Sequence, residues 1–395
     1  MLKSQKERII SKILERDRSI FISELQKNKD QLLDNLKDAS ILVIGGAGSI
    51  GSHYVLELLR YPVQKICIVD RDENALTKLS RQIRAKNRYN TELDFVSLDF
   101  GSPIFKKFYE ENKAFDYIAN FAALKHVRTE SDLNSTLSIL ENNVQNQIGF
   151  LDLLRKKPPK NYFSISTDKA NKPVSIMGAS KKLMENILSS YQDKVHISSA
   201  RFPNVLFSNG SLLEGYEHLY NQQKPLPCPL NIKRYFISGY EAAHICIAAQ
   251  FLSQSGELLV PKFEQHRHLL SFEHTVKIFL EVLGFKAKYF RDLDEAMNYH
   301  IEDEFYPVYL SNTNTSGEKE EESFYSDEEE LINNKFNMLG IVKMQKNNLN
   351  TESLSLDIHR IMKEASNKDE LVNFLKVHVK DFEHSEKGKS LYSKY

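Results

Sequence analysis

Long apolar runs are missing from this 395-residue chain. None approaches the roughly eighteen residues that would read as a membrane span. The opening MLKSQKERIISKILERDRSIF carries charges throughout instead of the apolar stretch of a signal peptide. Cysteine is scarce too. Cys67, Cys228 and Cys246 are odd in number, far apart, and in no CxxC or Cys/His spacing. That argues against a disulfide framework and against a metal site, and predicts buried reduced thiols in a cytoplasmic protein. Charge of one sign is not in excess: Lys+Arg and Asp+Glu are both 53, which gives no reason to expect nucleic acid or a membrane surface as partner. No internal repeat is visible.

What is present is an ordinary globular composition, 41% apolar and 27% charged. The length suits a Rossmann unit with a smaller substrate-binding part and terminal additions. Ile9, Ile10, Ile13 and Leu14 recur at helical spacing, so residues 1–38 read as a helical extension. Its apolar face is expected to pack on its own domain or on a second subunit rather than on a membrane. Short runs rich in β-branched residues then recur at 41–44, 65–69, 93–98, 117–119, 161–166 and 195–200, with helical patterns between most of them. This alternation predicts an α/β fold with a Rossmann-type doubly wound parallel sheet, helices lying on both faces. The expected Rossmann domain covers 39–206. A mainly substrate-binding domain covers 207–345, with about 235–260 returning to the Rossmann sheet, and a C-terminal helical segment covers 346–395. Lys224–Leu230 holds three prolines and must be extended or turning. The acidic run over 318–330 reads as a solvated face or loop.

The chemistry begins at Gly45-Gly46-Ala47-Gly48-Ser49-Ile50-Gly51, between a predicted strand and a predicted helix. Gly46, Gly48 and Gly51 satisfy GxGxxG. A side chain at the middle glycine would block close approach of the backbone to a pyrophosphate, and a helix N-terminus favours the negative charge. Asp70 ends the next strand nineteen residues after Gly51. It is placed to accept hydrogen bonds from the adenosine ribose and so favours NAD, whereas Arg71 beside it leaves NADP open. Asp99 and Phe100, after the third strand, either meet the adenine or make a turn. Asn120, Ala122 and Ala123, after the fourth, bring small residues to the strand end where a cofactor can lie close to the backbone.

A strand then delivers Ser166, Thr167, Asp168 and Lys169 to its carboxyl end. Met177 follows eight residues after Lys169, and Lys181 comes one helical turn later. Here the chain resembles the extended short-chain dehydrogenase/reductases, and within them the polysaccharide-biosynthesis branch of UDP-N-acetylglucosamine 4,6-dehydratases. The resemblance rests on GGAGSIGS, NFAALKHV, STDKANKPVSIMGASK, RFPNVLFSNGS, RYF and SGEKEEESFY, in family order from about residue 39 to 330. The ILERDRSIF segment is similar to the linker ahead of the catalytic domain in membrane-anchored members, so this chain is expected to be a form without that region.

Met177 stands where most of the superfamily has a proton-exchanging tyrosine, and a thioether has no proton to give. The resemblance assigns it to a Met-for-Tyr subfamily in which the Asp–Lys pair does the acid–base work. It implies oxidation at C4 of the sugar by NAD+ and removal of the C5 proton by Lys169, with a pKa lowered by burial and nearby positive charge. Protonated Asp168 then donates to the departing C6 hydroxyl, and the hydride returns to C6. Thr167 would bond near the C4 oxygen, and Lys181 would hold the nicotinamide ribose. On the substrate side the resemblance implies a UDP-sugar and points to Lys125, His126, Asn204, Ser208, Ser211 and Arg234. His126 reads equally well as a packed histidine. The family's RPGEK is here Thr315-Ser316-Gly317-Glu318-Lys319, without the arginine. A homo-oligomer is expected. The competing readings are a 4-epimerase, which has no use for an Asp–Lys pair, and a non-catalytic NAD-binding scaffold.

Overall fold

The computed structural model describes residues 1–85, 90–112, 115–125, 130, 132–301, 304–311, 319 and 321–384. Seven strands form a parallel run: β1 (Ser40–Ile44), β2 (Lys65–Asp70), β3 (Glu92–Ser97), β4 (Tyr117–Asn120), β5 (Asn161–Ile165), β6 (Ile197–Ala200) and, further along the chain, Glu257–Pro261. Between these last two lie β7 (Asn204–Val205), β8 (Leu226–Pro229) and β9 (Lys233–Ile237), so Glu257–Pro261 is β10. After it come β11 (Leu269–Ser271), β12 (Lys286–Phe290), β13 (Phe305–Ser311), β14 (Leu331–Ile332) and β15 (Leu339–Lys343). The main sheet runs β14-β15-β10-β6-β5-β4-β1-β2-β3, with β15 antiparallel to both β10 and β14. The expected doubly wound parallel sheet is therefore present.

Strand alternation divides the core between two faces. Ile41, Val43, Ile66, Ile68, Ala119 and Phe163 point to one, against the helices Ser49–Leu58 and Gly239–Leu252. Leu42, Ile44, Cys67, Val69, Ile118 and Tyr162 point to the other, against Asn146–Leu154 and Ile176–Tyr191. Gly239–Leu252 is buried at every position but Tyr240, so its surface is mostly apolar and its Glu241, His244 and Gln250 side chains find hydrogen-bond partners. The C-terminal helices Thr351–Glu364 and Lys368–His378 add Leu354, Ile358, Leu371 and Leu375 to the second face.

Two departures from expectation concern the second half of the chain. The residues returning to the main sheet are β10, β14 and β15, not the span 235–260 alone, while β9 joins a separate three-stranded sheet with β7 and β11. The acidic run is not simply solvated: Glu322 is 6% exposed, and Glu329 lies within an ion-pair network. The proline-rich segment is β8, paired with β13.

The N-terminal extension folds as three helices, Lys3–Leu14, Ile22–Lys27 and Lys29–Leu36, packed on the chain's own body. Ile9 and Ile13 join Tyr216 and Phe279 of the substrate-side core, whereas Phe21, Leu25, Leu32 and Leu36 join the first Rossmann face. Arg16 pairs with Glu241 at 2.7 Å between these two regions. The three cysteines are free and buried. No described helix is long and apolar enough to cross a membrane.

Candidate active site

A cleft of about 590 Å3 opens at the carboxyl ends of the parallel strands, where ligands bind in open α/β sheets. Its dinucleotide end is built by the turn after β1. Gly45 has φ +69°, and a Cβ there would lie 2.7 Å from the backbone nitrogen of Ala122. A Cβ at Gly51 would lie 2.8 Å from Gly46 Cα, so these glycines are required for the turn to pack between β4 and the helix Ser49–Leu58. That helix starts at Gly48, which has no side chain to cap it, leaving its first N–H groups to face an anionic ligand.

Gly45, Gly48, Ser49, Ile50 and Gly51 line the cleft, as do Asp70, Arg71, Asp99, Phe100, Ala122 and Ala123. Two residues assigned to the cofactor from sequence do not. Gly46 is a packing glycine, since a Cβ there would lie 2.7 Å from the Ile68 side chain. Asn120 turns its amide inward: it donates to Tyr162 at 3.0 Å and to Gln147 at 3.3 Å, and accepts from the backbone N–H of Ala122 at 2.9 Å. It shapes the strand end without reaching the cleft. The Asp70 carboxylate accepts from the N–H groups of Ala47 (3.0 Å) and Asp72 (3.1 Å), which ties the end of β2 to the glycine turn. Arg71 leans 3.8 Å from Asp99.

Thr167, Lys169, Met177 and Lys181 converge on the middle of the cleft. A turn at Asp168–Ala170, capped by the Thr167 hydroxyl, follows β5. Lys169 Nζ lies 3.1 Å from Asp168 Oδ1, which also accepts from the Thr167 hydroxyl at 2.9 Å. Asp168, assigned a donor role from sequence, is 1% exposed and does not line the cleft as Lys169 does. The expected depression of Lys169 is also overturned. Burial pushes its pKa down, but the carboxylates of Asp168 and Glu322 outweigh burial and Arg234 and hold it above the usual lysine range.

Lys181 behaves in the opposite sense: burial pulls it down to about 8, only partly offset by Glu185. Its Nζ donates to the Ile165 carbonyl at 2.9 Å. A lysine of depressed pKa is harder to protonate folded than unfolded, so this site costs stability below about pH 8. The cost is relieved as pH rises from there toward the unfolded lysine value. Lys181→Met is accordingly expected to stabilise the protein by up to about 3 kcal/mol at pH 7, and by much less at pH 10. Urea denaturation at the two pH values checks this, an equal change at both being the contrary result.

The helix carrying Met177 and Lys181 is positioned by residues that carried no recognisable motif. Glu130 accepts from the N–H groups of Ile176 (3.1 Å) and Met177 (2.8 Å). Asn143 bonds both backbone groups of Leu124 and the Ser180 hydroxyl. Directly after β6, Arg201 is fully enclosed and uses all its N–H groups. It reaches Glu185 at 2.6 and 2.8 Å, Glu329 at 2.7 Å twice, and the Phe324 carbonyl at 2.9 Å. Glu185 in turn accepts from Ser166 at 2.5 Å.

On the substrate side, Lys125, Asn204, Ser208, Ser211 and Arg234 line the cleft; His126 lies outside the described residues. Burial pushes the Lys125 pKa down against Glu214, with Lys169 adding to the effect. Arg234 gives two of its donors to the Lys233 and Lys319 carbonyls. Ser211 caps the helix Leu212–Asn221, and Ser49 accepts from the N–H of Asn209, joining the glycine turn to this loop.

Residues 41–344 match the family model described as polysaccharide biosynthesis protein. An uncharacterized membrane protein of Methanocaldococcus jannaschii is 29% identical over 259 residues, 64% of this chain and 74% of that one. An inverting UDP-N-acetylglucosamine 4,6-dehydratase of Campylobacter jejuni is 25% identical over 243 residues, 56% of this chain and 66% of the dehydratase. A UDP-glucose 4-epimerase of Rickettsia canadensis is 26% identical over 236 residues, 57% and 66% of the two chains. The match thus spans about two thirds of those enzymes' length. Among solved structures, Pen from Bacillus thuringiensis aligns with a TM-score of 0.64 at 20% identity, covering 82% of this chain and 98% of its own. The dTDP-glucose 4,6-dehydratase DesIV of Streptomyces venezuelae, with NAD bound, aligns at 0.54 and 20%, covering 69% and 88%. With the family's span running from β1 through β15, this chain belongs to the polysaccharide-biosynthesis branch of the extended short-chain dehydrogenase/reductases.

Proposed function

We propose that the protein is an NAD-dependent nucleotide-sugar 4,6-dehydratase acting on a UDP-N-acetylhexosamine, UDP-N-acetylglucosamine first among them. The observation that carries this reading is the Asp168–Lys169 pair at the end of β5, across from Met177, a side chain with no proton to exchange. With methionine in that place, the pair supplies a proton donor and a proton acceptor 3.1 Å apart at the end of the strand. The fit to NAD rests on the glycine turn, whose uncapped helix start and missing side chains leave a cradle for a diphosphate. Ser49 and Ile50 would flank it, Asp70, Arg71 and Asp99 the adenosine, and Ala122, Ala123 and Lys181 the nicotinamide end. Bound there, NAD supplies reversible acceptance of a hydride.

The protein's own residues handle the protons. Lys169 enters as a cation, and the amine that removes a C5 proton arises when it passes one proton to Asp168, 3.1 Å away. That single transfer supplies both states the elimination needs, a neutral amine for C5 and a carboxylic acid for the leaving C6 hydroxyl. Asp168 does not line the cleft as Lys169 does, so its donation requires the lysine to move toward the sugar. Thr167, whose own hydrogen goes to Asp168, meets the sugar oxygen as an acceptor. Lys181, held near pH 8, balances charge at O4. The neutral form of Lys181 takes the proton released from O4, Lys169 returns a proton to C5 as the hydride returns to C6, and Lys181 then gives its proton back to the pair by way of solvent, replacing the one lost in water. Lys125, Asn204, Ser208, Ser211 and Arg234 would bind the UDP-sugar.

Incubation with UDP-N-acetylglucosamine in deuterated water tests the reading by mass spectrometry and proton NMR. The expected product has lost one water, carries deuterium at C5 and shows a new C6 methyl signal. An isomer with no water lost and no deuterium means 4-epimerisation and removes the Asp–Lys mechanism.

A further inference from the structure

The acidic segment contributes a residue to the site that the dehydratase scheme leaves without a part. Glu322 lies on the cleft wall, its side chain only 3% exposed. Its Oε1 is 3.8 Å from Lys169 Nζ, and its Oε2 is 3.6 Å from Lys319 Nζ with no hydrogen-bond partner among the described residues. A carboxylate this buried is costly unless a cation compensates it. Its place is not accidental to a loose loop. Lys319 Nζ donates to the Asn171 carbonyl at 2.5 Å, and the Asn171 amide donates to the Ser323 hydroxyl at 2.7 Å. The chain immediately after the Lys169 turn therefore grips the segment on both sides of Glu322.

Two carboxylates thus bracket one ammonium, and their duties differ. When Asp168 has accepted a proton it no longer neutralises Lys169. Once the C5 proton arrives, Lys169 is fully charged beside a neutral Asp168. We propose that Glu322 is the counter-ion of Lys169 during that step, a positioning residue that acts through the lysine without touching the sugar. Resting on the dehydratase reading, this gives the two acids separate tasks: Asp168 exchanges a proton, and Glu322 keeps its charge. The other groups around Nζ cannot substitute. Arg234 on β9, Lys125 after β4 and Lys319 are all cationic and oppose the ammonium or compete for the same carboxylate.

Glu322→Gln keeps the shape and removes the charge. Two measurements on the full chain test it. The first is the pH dependence of Lys169 acylation by acetic anhydride, followed by peptide mass spectrometry. The labelling curve is expected to move to lower pH by about one unit, because an opposite charge within reach has been removed. The second is turnover of UDP-N-acetylglucosamine, where kcat is expected to fall about 10–100-fold with KM within about twofold. Glu322→Asp, which restores a carboxylate, should recover part of both. A labelling curve that superimposes on the unaltered protein's overturns the counter-ion role whatever the substrate proves to be. A shifted curve with unchanged kcat confines Glu322 to the resting ion pair and overturns its part in the step. If the unaltered protein turns over no nucleotide sugar, it is the dehydratase reading that fails, and the labelling result still judges the ion pair.

Discussion

Lys169→Arg is expected to lower kcat for dehydration by about 10²–10⁴-fold while leaving the protein folded. Arginine keeps a positive charge between Asp168 and Glu322, so neither buried carboxylate is stranded. A guanidinium, however, does not give up its proton in a protein, so it cannot serve as the base at C5. Lys169→Met removes the charge as well and is expected to be destabilising besides inactive, since Asp168 is 1% exposed and loses its cation. The two variants separate chemistry from structure. Deuterium uptake at C5 and thermal melting, measured on both, check the pair of outcomes. A Lys169→Arg protein that still exchanged the C5 proton at the original rate would remove Lys169 from the mechanism.

The second large effect is structural. Arg201→Met is expected to cost about 3–5 kcal/mol, the range for breaking a buried ion pair from one side. Glu185 and Glu329 would then be left facing each other without the guanidinium that now bonds both. Lys182 reaches Glu329 at 3.0 Å but Glu185 only at 4.0 Å, so it compensates one of them poorly. Urea unfolding of the variant measures the loss; a change under 1 kcal/mol would mean that the network is relieved by water or rearrangement. The same network makes an acid prediction with a definite sign. Burial works against the Glu329 carboxylate, but Arg201 and Lys182 hold its pKa at about 2. Its contribution is present above the unfolded glutamate value and is lost as pH falls toward 2.

Much of this arrangement was written locally. Hydrophobic runs separated by helical patterns announced β1 to β6; the inner strands β1 and β2 are apolar along most of their length because both their faces are buried, whereas the edge strand β3 is only half-buried. The glycine turn and the paired STDKA and MGASK stretches located the dinucleotide end and the middle of the cleft for a similar reason: their constraints lie within a few residues of each other. What escaped was non-local. β14 and β15 are two and five residues long and join the sheet edge antiparallel, a pairing that no local period encodes. Glu322 and Glu329 were hidden in a run of acids, since sequence alone cannot say which carboxylate finds a buried cation. Asn120 looked like a ligand group because it stands at a strand end; its amide is taken up by Tyr162 and Gln147, which come from elsewhere in the chain.

The first 36 residues also bear on how the cleft breathes. They begin on the substrate side with Ile9 and Ile13 and finish against the Rossmann face with Leu32 and Leu36. The crossing is fastened by Arg16 on Glu241 and by a hydrogen bond between Ser19 and His244. A tether bonded at both ends shortens the stroke available to the two walls. Widening the mouth for a bulky nucleotide would have to peel apolar helix off one wall or part that ion pair, so small local adjustments cost less than a wide hinge.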